Sequence, residues 1–409
     1  MWKRSLRRWL CMGLLAGMCM SAVGCSKVDN SEPASQDGAA AAPSPSTEPE
    51  ASPTPEATPE AMPPIYEVPE AEAVLGTRLC EHYQGYFTVG TCISSSMLGN
   101  EKLEKLVLEQ FNTVTCENEM KPDALLNQMA CISQNEVVVM FPKRATDILD
   151  WAKEHDLKVR GHVLVWHSQT PDWFFKEGFQ NNGALVSKEV MLSRMESYIK
   201  QVIEYCDTNY PGLVYVWDVV NEAFEDGSGE YRNSYWYQIL GEDFIRYAFE
   251  YARKYASPET KLFYNDFNCY IDQKQTAIMT VVKELISLGL IDGVGMQSHL
   301  DVDYPSVDNY TRTLERFSKL GIEVQITELD VTTTGNDEAS FQKQGEYYDK
   351  LFQIISIYEK LGSTNITGLT LWGVSDIYSW RSSQYPLLFD AALEPKPAYY
   401  GVLQEKQEQ

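Results

Sequence analysis

The 409-residue chain is poor in positive charge. Its 34 Lys and Arg residues are outnumbered by 58 Asp and Glu residues, so the formal net charge is -24. A negative field over most of the surface repels phosphate backbones and anionic lipid headgroups. We therefore predict that the chain does not bind nucleic acid. The charge does not exclude neutral polymers as partners.

The chain also lacks the signatures of common cofactor sites. Its histidines show no HExxH or other metal-ligand spacing, and its nine cysteines include no CxxC pair. Gly90 and Gly161 are isolated, so no Gly-rich phosphate loop or dinucleotide fingerprint follows a strand-like segment. We therefore expect no cofactor and no catalytic metal.

The apolar run at residues 9–20 is too short to span a bilayer as a stable helix. It follows a basic opening and precedes small residues, which is typical of a secretory signal peptide. We place this signal at residues 1–25. The protein is thus expected to be exported.

The signal ends in the sequence AVGC at residues 22–25, which resembles a bacterial lipoprotein box. In such a box the cysteine becomes the lipidated first residue of the mature chain. We predict a cell-surface lipoprotein anchored at Cys25, with membrane contact only through this anchor. The alternative is an ordinary signal peptide with an incidental Cys25, which would give a secreted protein.

Residues 26–72 change composition abruptly. They hold ten of the chain's 19 prolines and ten acidic residues against the single base Lys27. Such a segment cannot bury enough apolar surface to offset its ordering entropy. We predict a disordered linker rich in Pro, Ala, Glu, Ser and Thr over residues 26–72. One folded domain, expected to be a monomer, would occupy residues 73–409.

The six cysteines of this domain leave the disulfide pattern open. Six cysteines in an exported domain allow 15 pairings. However, Cys92 and Cys116 lie in apolar strand-like runs, where a thiol packs as a small hydrophobe. We favour buried free thiols with at most one or two bridges, and a disulfide framework is the alternative.

Strand-like and helical segments alternate along the domain. Eight apolar strand-like runs are separated by stretches with helical spacing. This alternation over about 300 residues is typical of an α/β protein with a closed (β/α)8 barrel, the TIM barrel, rather than an open doubly wound sheet. The predicted strands are residues 86–93, 111–116, 157–165, 214–220, 261–265, 293–297, 323–327 and 368–372.

Two glutamates follow predicted strands in positions that suit catalysis. Glu222 ends the fourth strand and Glu328 the seventh, and barrel enzymes place their chemistry at the carboxyl ends of their strands. Glycosidic cleavage needs one carboxylic acid to protonate the leaving oxygen and one carboxylate to meet the cationic sugar. The rigid rim favours a carboxylate separation of about 5 to 5.5 Å, which indicates a retaining route.

Four segments in chain order carry a resemblance to a known family. They are GHVLVWHSQ at 161–169, WDVVNE at 217–222, ITELD at 326–330 and WGVSD at 372–376. They resemble the signature segments of the family-10 glycoside hydrolases, chiefly endo-β-1,4-xylanases. The resemblance implies cleavage of internal xylosidic bonds of xylan by double displacement through a covalent glycosyl-enzyme. Xylan and xylo-oligosaccharides would then be the binding partners.

The resemblance also implies roles for individual residues. Glu222 would be the acid/base and Glu328 the nucleophile. Asn221 would bond the 2-hydroxyl of the cleaved sugar, and His299 would keep Glu328 oriented and ionised. The other implied substrate contacts are Glu117, Asn118 and Lys121 on the glycone side, His162 and Trp166 around the cleaved sugar, Gln297 near the nucleophile, and Gln169, Trp372 and Trp380 over the ring.

Xylose differs from glucose by the absence of one hydroxymethyl group at C5. The resemblance implies that Gln169 and Trp380 close over that side of the ring, so we expect xylan to be preferred over cellulosic substrates. Activity on cellulose or mixed-linkage glucan is one alternative. A lipid-anchored sugar-binding protein of a transporter, which would fold as two open lobes, is another.

One segment departs from the family pattern. Residues 129–141 replace a short connection after Lys121. We expect them to form a small feature of their own beside the glycone subsites.

Overall fold

The computed structural model describes residues 78–360, 362 and 364–404. The predicted signal peptide, including Cys25, and the predicted linker lie outside these residues. Within the described ranges, no helix has both the length and the apolar character needed to cross a membrane.

Strands form the centre of the domain. The described residues contain ten strands, β1 (Thr88–Ile93), β2 (Thr113–Cys116), β3 (Lys158–Gly161), β4 (Val165–Trp166), β5 (Val214–Asn221), β6 (Lys261–Asp266), β7 (Gly293–Met296), β8 (His299–Asp301), β9 (Glu323–Thr332) and β10 (Ile366–Leu371). Eight pair in parallel in the order β1-β2-β3-β5-β6-β7-β9-β10, and β10 pairs back with β1. The predicted (β/α)8 barrel is confirmed, and two open lobes are ruled out.

Helices connect the strands. Several begin at a polar residue whose side chain accepts backbone N–H groups of the first turn, as Asn100, Ser187 and Ser306 do. The helices are α1 (Leu79–His82), α2 (Glu101–Gln110), α3 (Pro122–Leu125), α4 (Gln128–Gln134), α5 (Lys143–Glu154), α6 (Lys188–Asn209), α7 (Tyr235–Leu240), α8 (Phe244–Tyr255), α9 (Asp272–Ser287), α10 (Val307–Ser318), α11 (Glu338–Lys360) and α12 (Pro397–Leu403).

Two short strands extend the barrel at the rim where the strands end. β4 pairs with the last residues of β5, and β8 pairs with the last residues of β9. The prediction of one continuous strand over 157–165 was therefore wrong, because the chain leaves the ladder after Gly161 and rejoins it at Val165. These additions place Trp166 and His299 at the rim.

The barrel interior contains a buried ionic cluster. Arg160 on β3 donates through Nε to Asp218 Oδ2 at 3.1 Å and through Nη1 to Gln325 Oε1 at 2.6 Å. Arg160 and Asp218 are each only 1% exposed, so the pairing compensates both buried charges. The cluster is linked to the candidate site through His162, whose Nδ1 lies 3.0 Å from Asp218 Oδ2.

The described cysteines are all free thiols. Five are buried and Cys80 is half-buried, which agrees with the expectation of buried free thiols and rules out a disulfide framework among the described residues. Burial raises the pKa of Cys92 and of Cys116 well above the ordinary value, so these thiols remain protonated.

Residues 129–141 form a small feature, as expected. They include most of α4, and Val139 makes an antiparallel bridge with Leu126. The side chain of Gln201 on α6 holds this feature, because its Oε1 accepts from Val139 N at 3.1 Å and its Nε2 donates to Val137 O at 2.8 Å.

Candidate active site

The two candidate carboxylates lie at the carboxyl ends of barrel strands. Glu222 immediately follows β5, and Glu328 lies within the later part of β9. Glu328 is only 4% exposed, whereas Glu222 is half-buried. Carboxylates in such different environments can take different chemical roles.

Three side-chain amides link these two glutamates. Gln297 Nε2 donates to Glu222 Oε1 at 2.9 Å and to Asn221 Oδ1 at 3.0 Å. Asn265 Nδ2 donates to Asn221 Oδ1 at 3.0 Å and to Glu328 Oε1 at 2.8 Å. Asn221 Nδ2 also donates to Glu222 Oε1 at 3.0 Å. The ends of β5, β6, β7 and β9 are thus tied into one hydrogen-bonded network.

His299 bridges Glu328 and a second carboxylate. Its Nε2 lies 3.3 Å from Glu328 Oε2, and its Nδ1 lies 2.9 Å from Asp330 Oδ2. Burial alone would lower the pKa of this imidazole, but Asp330 and Glu328 raise the pKa to about 10. His299 is therefore an imidazolium at neutral pH and donates to both carboxylates.

The same contact keeps Glu328 ionised. Burial would raise the pKa of Glu328, but the hydrogen bond from His299 and the electrostatic effect of His162 outweigh it and lower the pKa. A carboxylate must be ionised to act as a nucleophile. Glu328 therefore meets the electrostatic requirement for that role.

A polar group from the ends of β2 and β4 lies beside the glutamates. Asn118 Oδ1 accepts from Lys121 Nζ at 3.0 Å and from Gln169 Nε2 at 3.2 Å. The Lys121 ammonium lies 5.1 Å from the centre of the Trp166 ring. Burial lowers the pKa of Lys121 and raises that of the half-buried Glu117. These groups offer several donors and acceptors within one small region.

Rings line the same rim. The His162 ring lies 6.3 Å from that of Trp166 and 5.5 Å from that of Trp372. The His299 ring lies 6.4 Å from Trp372 and 5.0 Å from Trp380. Trp372 is buried, but Trp380 is 60% exposed. The rings therefore form a continuous series from Trp166 to Trp380 that passes the imidazolium of His299.

Some residues of the site were not assigned a role from the sequence. Asn265 links the two glutamates. Asp330 is fully buried and accepts from Trp380 Nε1 at 3.0 Å and from Arg381 Nη1 at 2.7 Å. Asp218 Oδ2 accepts from His162 Nδ1 at 3.0 Å. The sequence signal for Asn265 and Asp330 was a polar residue at or just after the end of a predicted strand, and for Asp218 it was a charged residue within an apolar strand.

No group of three or more His, Cys, Asp or Glu side chains in the described part of the chain is arranged to hold a metal ion. The chemistry available at this rim is that of two carboxylates, an imidazolium, amides and aromatic rings.

Comparison with known proteins gives the family of this chain. The family model of glycosyl hydrolase family 10 matches residues 78–405. Endo-1,4-beta-xylanase Y of Acetivibrio thermocellus is 43% identical over 344 residues, and endo-1,4-beta-xylanase B of Butyrivibrio fibrisolvens is 42% identical over 331 residues. These matches cover 79% and 78% of this chain. The chain spans only 32% and 52% of the length of these two relatives.

A solved structure shows the same fold. The CBM22-1 and GH10 modules of endo-1,4-beta-D-xylanase 10B from Clostridium thermocellum, in complex with xylohexaose, align with a TM-score of 0.75 and 40% identity. The alignment covers 80% of this chain and 67% of that one. With the family match over most of its length, and with paired glutamates at the ends of β5 and β9, this chain belongs to glycosyl hydrolase family 10.

Proposed function

We propose that this chain is an endo-β-1,4-xylanase that cleaves internal bonds of xylan with retention of anomeric configuration. The observation that carries the proposal is the pair Glu222 and Glu328, joined through side-chain amides, with Glu328 held ionised by an imidazolium. Paired carboxylates of this kind are what glycosidic cleavage requires. The names of the similar relatives support xylan as the substrate.

In the first step, Glu222 protonates the glycosidic oxygen while a Glu328 oxygen attacks the anomeric carbon. The bond from that carbon to the leaving oxygen breaks, and an ester bond to Glu328 forms. Asn221 and Gln297 both donate to Oε1 of Glu222. Oε2 is therefore the oxygen that carries the transferred proton.

In the second step, Glu222 removes a proton from a water molecule, and the water oxygen attacks the same carbon. The ester bond breaks and its electron pair returns to Glu328, whose charge is again stabilised by His299. Two inversions at one carbon give net retention. Asn221 donates to Glu222 and is linked to Glu328 through Asn265, and it is proposed to bond the 2-hydroxyl during each step.

The remaining predicted residues supply sugar binding. Asn118, Lys121, Gln169 and Glu117 offer hydrogen bonds to hydroxyl groups, and His162 lies between two tryptophan rings. A pyranose has apolar faces that pack on such rings and an equatorial belt of hydroxyls. Trp166, Trp372 and Trp380 are proposed to contact those faces.

The substrate is tested by measuring reducing ends released from xylan and from carboxymethyl cellulose. We expect xylan to give a mixture of oligosaccharides and carboxymethyl cellulose to give far less product, because we propose that Gln169 and Trp380 close over the C5 side of the ring and exclude the hydroxymethyl group. Glu328→Gln is the matched inactive control. Equal or higher rates on carboxymethyl cellulose would make the protein a glucanase.

We also propose that the enzyme is exported as a monomer and held at the cell surface by lipid on Cys25, or secreted where this cysteine carries no lipid. The support is the signal at residues 1–25, the AVGC sequence and the composition of residues 26–72. Intact mass of the exported protein tests the lipid directly.

A further inference from the structure

A buried lysine joins two carboxylates next to residues 223–229, the segment that follows the acid/base Glu222. Lys274, near the start of α9, has no exposed surface. Its Nζ lies 2.7 Å from Asp226 Oδ1 and 2.7 Å from Asp266 Oδ1. The ammonium also lies 3.7 Å from the centre of the Phe267 ring. The catalytic steps described above do not use this cluster.

Both carboxylates hold the segment that follows the acid/base. Asp226 belongs to this segment, and its Oδ2 also accepts from Asn268 Nδ2 at 2.9 Å. Asp266 Oδ2 accepts from Tyr264 OH at 2.6 Å, and this hydroxyl accepts from Ala223 N at 3.0 Å. The lysine is therefore connected to the residue directly after the acid/base and to a second point further along the loop.

Glu222, which directly precedes this segment, has an unusual backbone conformation. Glu222 has φ of 56°, in the left-handed region that residues other than glycine seldom adopt. Its N–H donates to Asn265 O at 3.0 Å, and its carbonyl accepts from Arg232 Nε at 3.1 Å. Such conformations persist only where surrounding contacts fix them.

The segment that follows the acid/base also lies directly against α9. A Cβ on Gly229 would come within 2.6 Å of Gln273 O, so the backbones of loop and helix are in close contact at the residue before Lys274. The position of the loop therefore depends on the start of this helix.

We propose that Lys274 is a positioning residue for acid catalysis, which holds the turn that aims the Glu222 carboxyl at the glycosidic oxygen. It does so by pairing with Asp226 and Asp266. The lysine is sealed from the surface and acts only through these carboxylates. Burial tends to lower the pKa of Lys274, but the two aspartates raise it, so the ammonium stays charged. Burial raises the pKa of Asp266 to about 6, so this carboxyl is ionised above that pH. The proposal rests on the proposed function of Glu222.

The test compares substrates that need acid catalysis with substrates that do not. Xylotetraose has a poor leaving group and needs the proton from Glu222, whereas 2,4-dinitrophenyl xylobioside does not. We expect Lys274→Met to lower kcat/KM about 10- to 100-fold on xylotetraose but within about threefold on the aryl glycoside. Asp226→Asn should change the ratio of the two rates in the same direction as Lys274→Met does, but by a smaller factor.

The control is Arg253→Met, which removes the ion pair between Arg253 and Asp292 at 2.5 Å, outside the site. It should leave the ratio of the two rates unchanged. An unchanged ratio in Lys274→Met, whether both rates fall equally or neither falls, would contradict the proposal. Should Lys274→Met fail to fold, the ratio measured in Asp226→Asn decides. A wild type inactive on both substrates would overturn the proposed function and, with it, this role.

Discussion

At the scale of single residues, the two glutamates differ in what holds them. Glu328 is buried and faces an imidazolium, while Glu222 receives two amide N–H groups on one oxygen and is half-buried. An imidazolium stabilises a permanent carboxylate, whereas amide donors on one oxygen leave the other able to carry a proton. This difference is the basis for assigning separate roles.

Replacement of the acid/base should separate the two catalytic steps. In Glu222→Gln the leaving oxygen loses its proton donor, so we expect kcat/KM on xylan to fall about 100- to 10,000-fold. An activated aryl xylobioside should still form the glycosyl-enzyme in a burst and then turn over slowly. Azide should accelerate the second step and yield the glycosyl azide. Near wild-type rates on xylan would show that Glu222 is not the proton donor.

His299 should make stability depend on pH. Its pKa is raised from the ordinary 6.5 to about 10, so its contribution to stability is full below pH 6.5 and is lost as the pH rises through about 10. The wild-type free energy of unfolding should fall relative to His299→Gln by up to about 1.4 kcal/mol per pH unit in this interval. Urea unfolding at pH 6, 8 and 10 measures this difference.

His155→Gln is the control for this pH dependence, because His155 is exposed at the end of α5. It should follow the wild type at every pH. Parallel curves for wild type and His299→Gln would mean that folding does not raise the pKa of His299.

At the scale of elements, a glycine determines how closely two strands approach. Gly161 ends β3, and a Cβ at this position would come within 2.3 Å of the Trp217 ring on β5. We expect Gly161→Ala to lower the free energy of unfolding by about 1–3 kcal/mol through overpacking. Gly227→Ala, where nothing lies within 4 Å, should change it by less than about 0.5 kcal/mol. Equal urea midpoints for the two variants would contradict the close contact.

The barrel and the location of the site could be predicted because both follow local patterns. Apolar runs with helical stretches between them specify strands, and the parallel strands of a barrel bring their carboxyl ends to one rim. Glu222, Glu328 and their neighbours could therefore be placed together before any geometry was known.

Pairings between distant residues could not be predicted in this way. β4 and β8 contain two and three residues, and they form only because β5 and β9 offer open ladder positions. Asn265 and Glu328 are 63 residues apart in the chain, and His299 and Asp330 are 31 apart. No local pattern encodes such partners, so Asn265 and Asp330 were recognised only in the folded structure.

At the scale of the whole molecule, the predicted anchor and the barrel should act independently. Because residues 26–72 contain few large apolar side chains, we expect this segment not to pack on the domain. We expect Cys25→Ser to move the enzyme from the membrane fraction to the medium while kcat/KM on xylan stays unchanged. Cell fractionation and assay of both fractions measure this. Retention of the variant in the membrane fraction would show that the attachment does not depend on lipid at Cys25.

Glu328 is proposed to form a covalent bond with the sugar. The most direct measurement is to incubate the enzyme with an activated 2-deoxy-2-fluoro-xylobioside and map the labelled peptide by mass spectrometry, because the fluorine slows release of the intermediate. We expect one fluoroxylobiosyl group per chain, attached to Glu328. A label on any other residue, or the absence of a label together with inverted products by NMR, would contradict it.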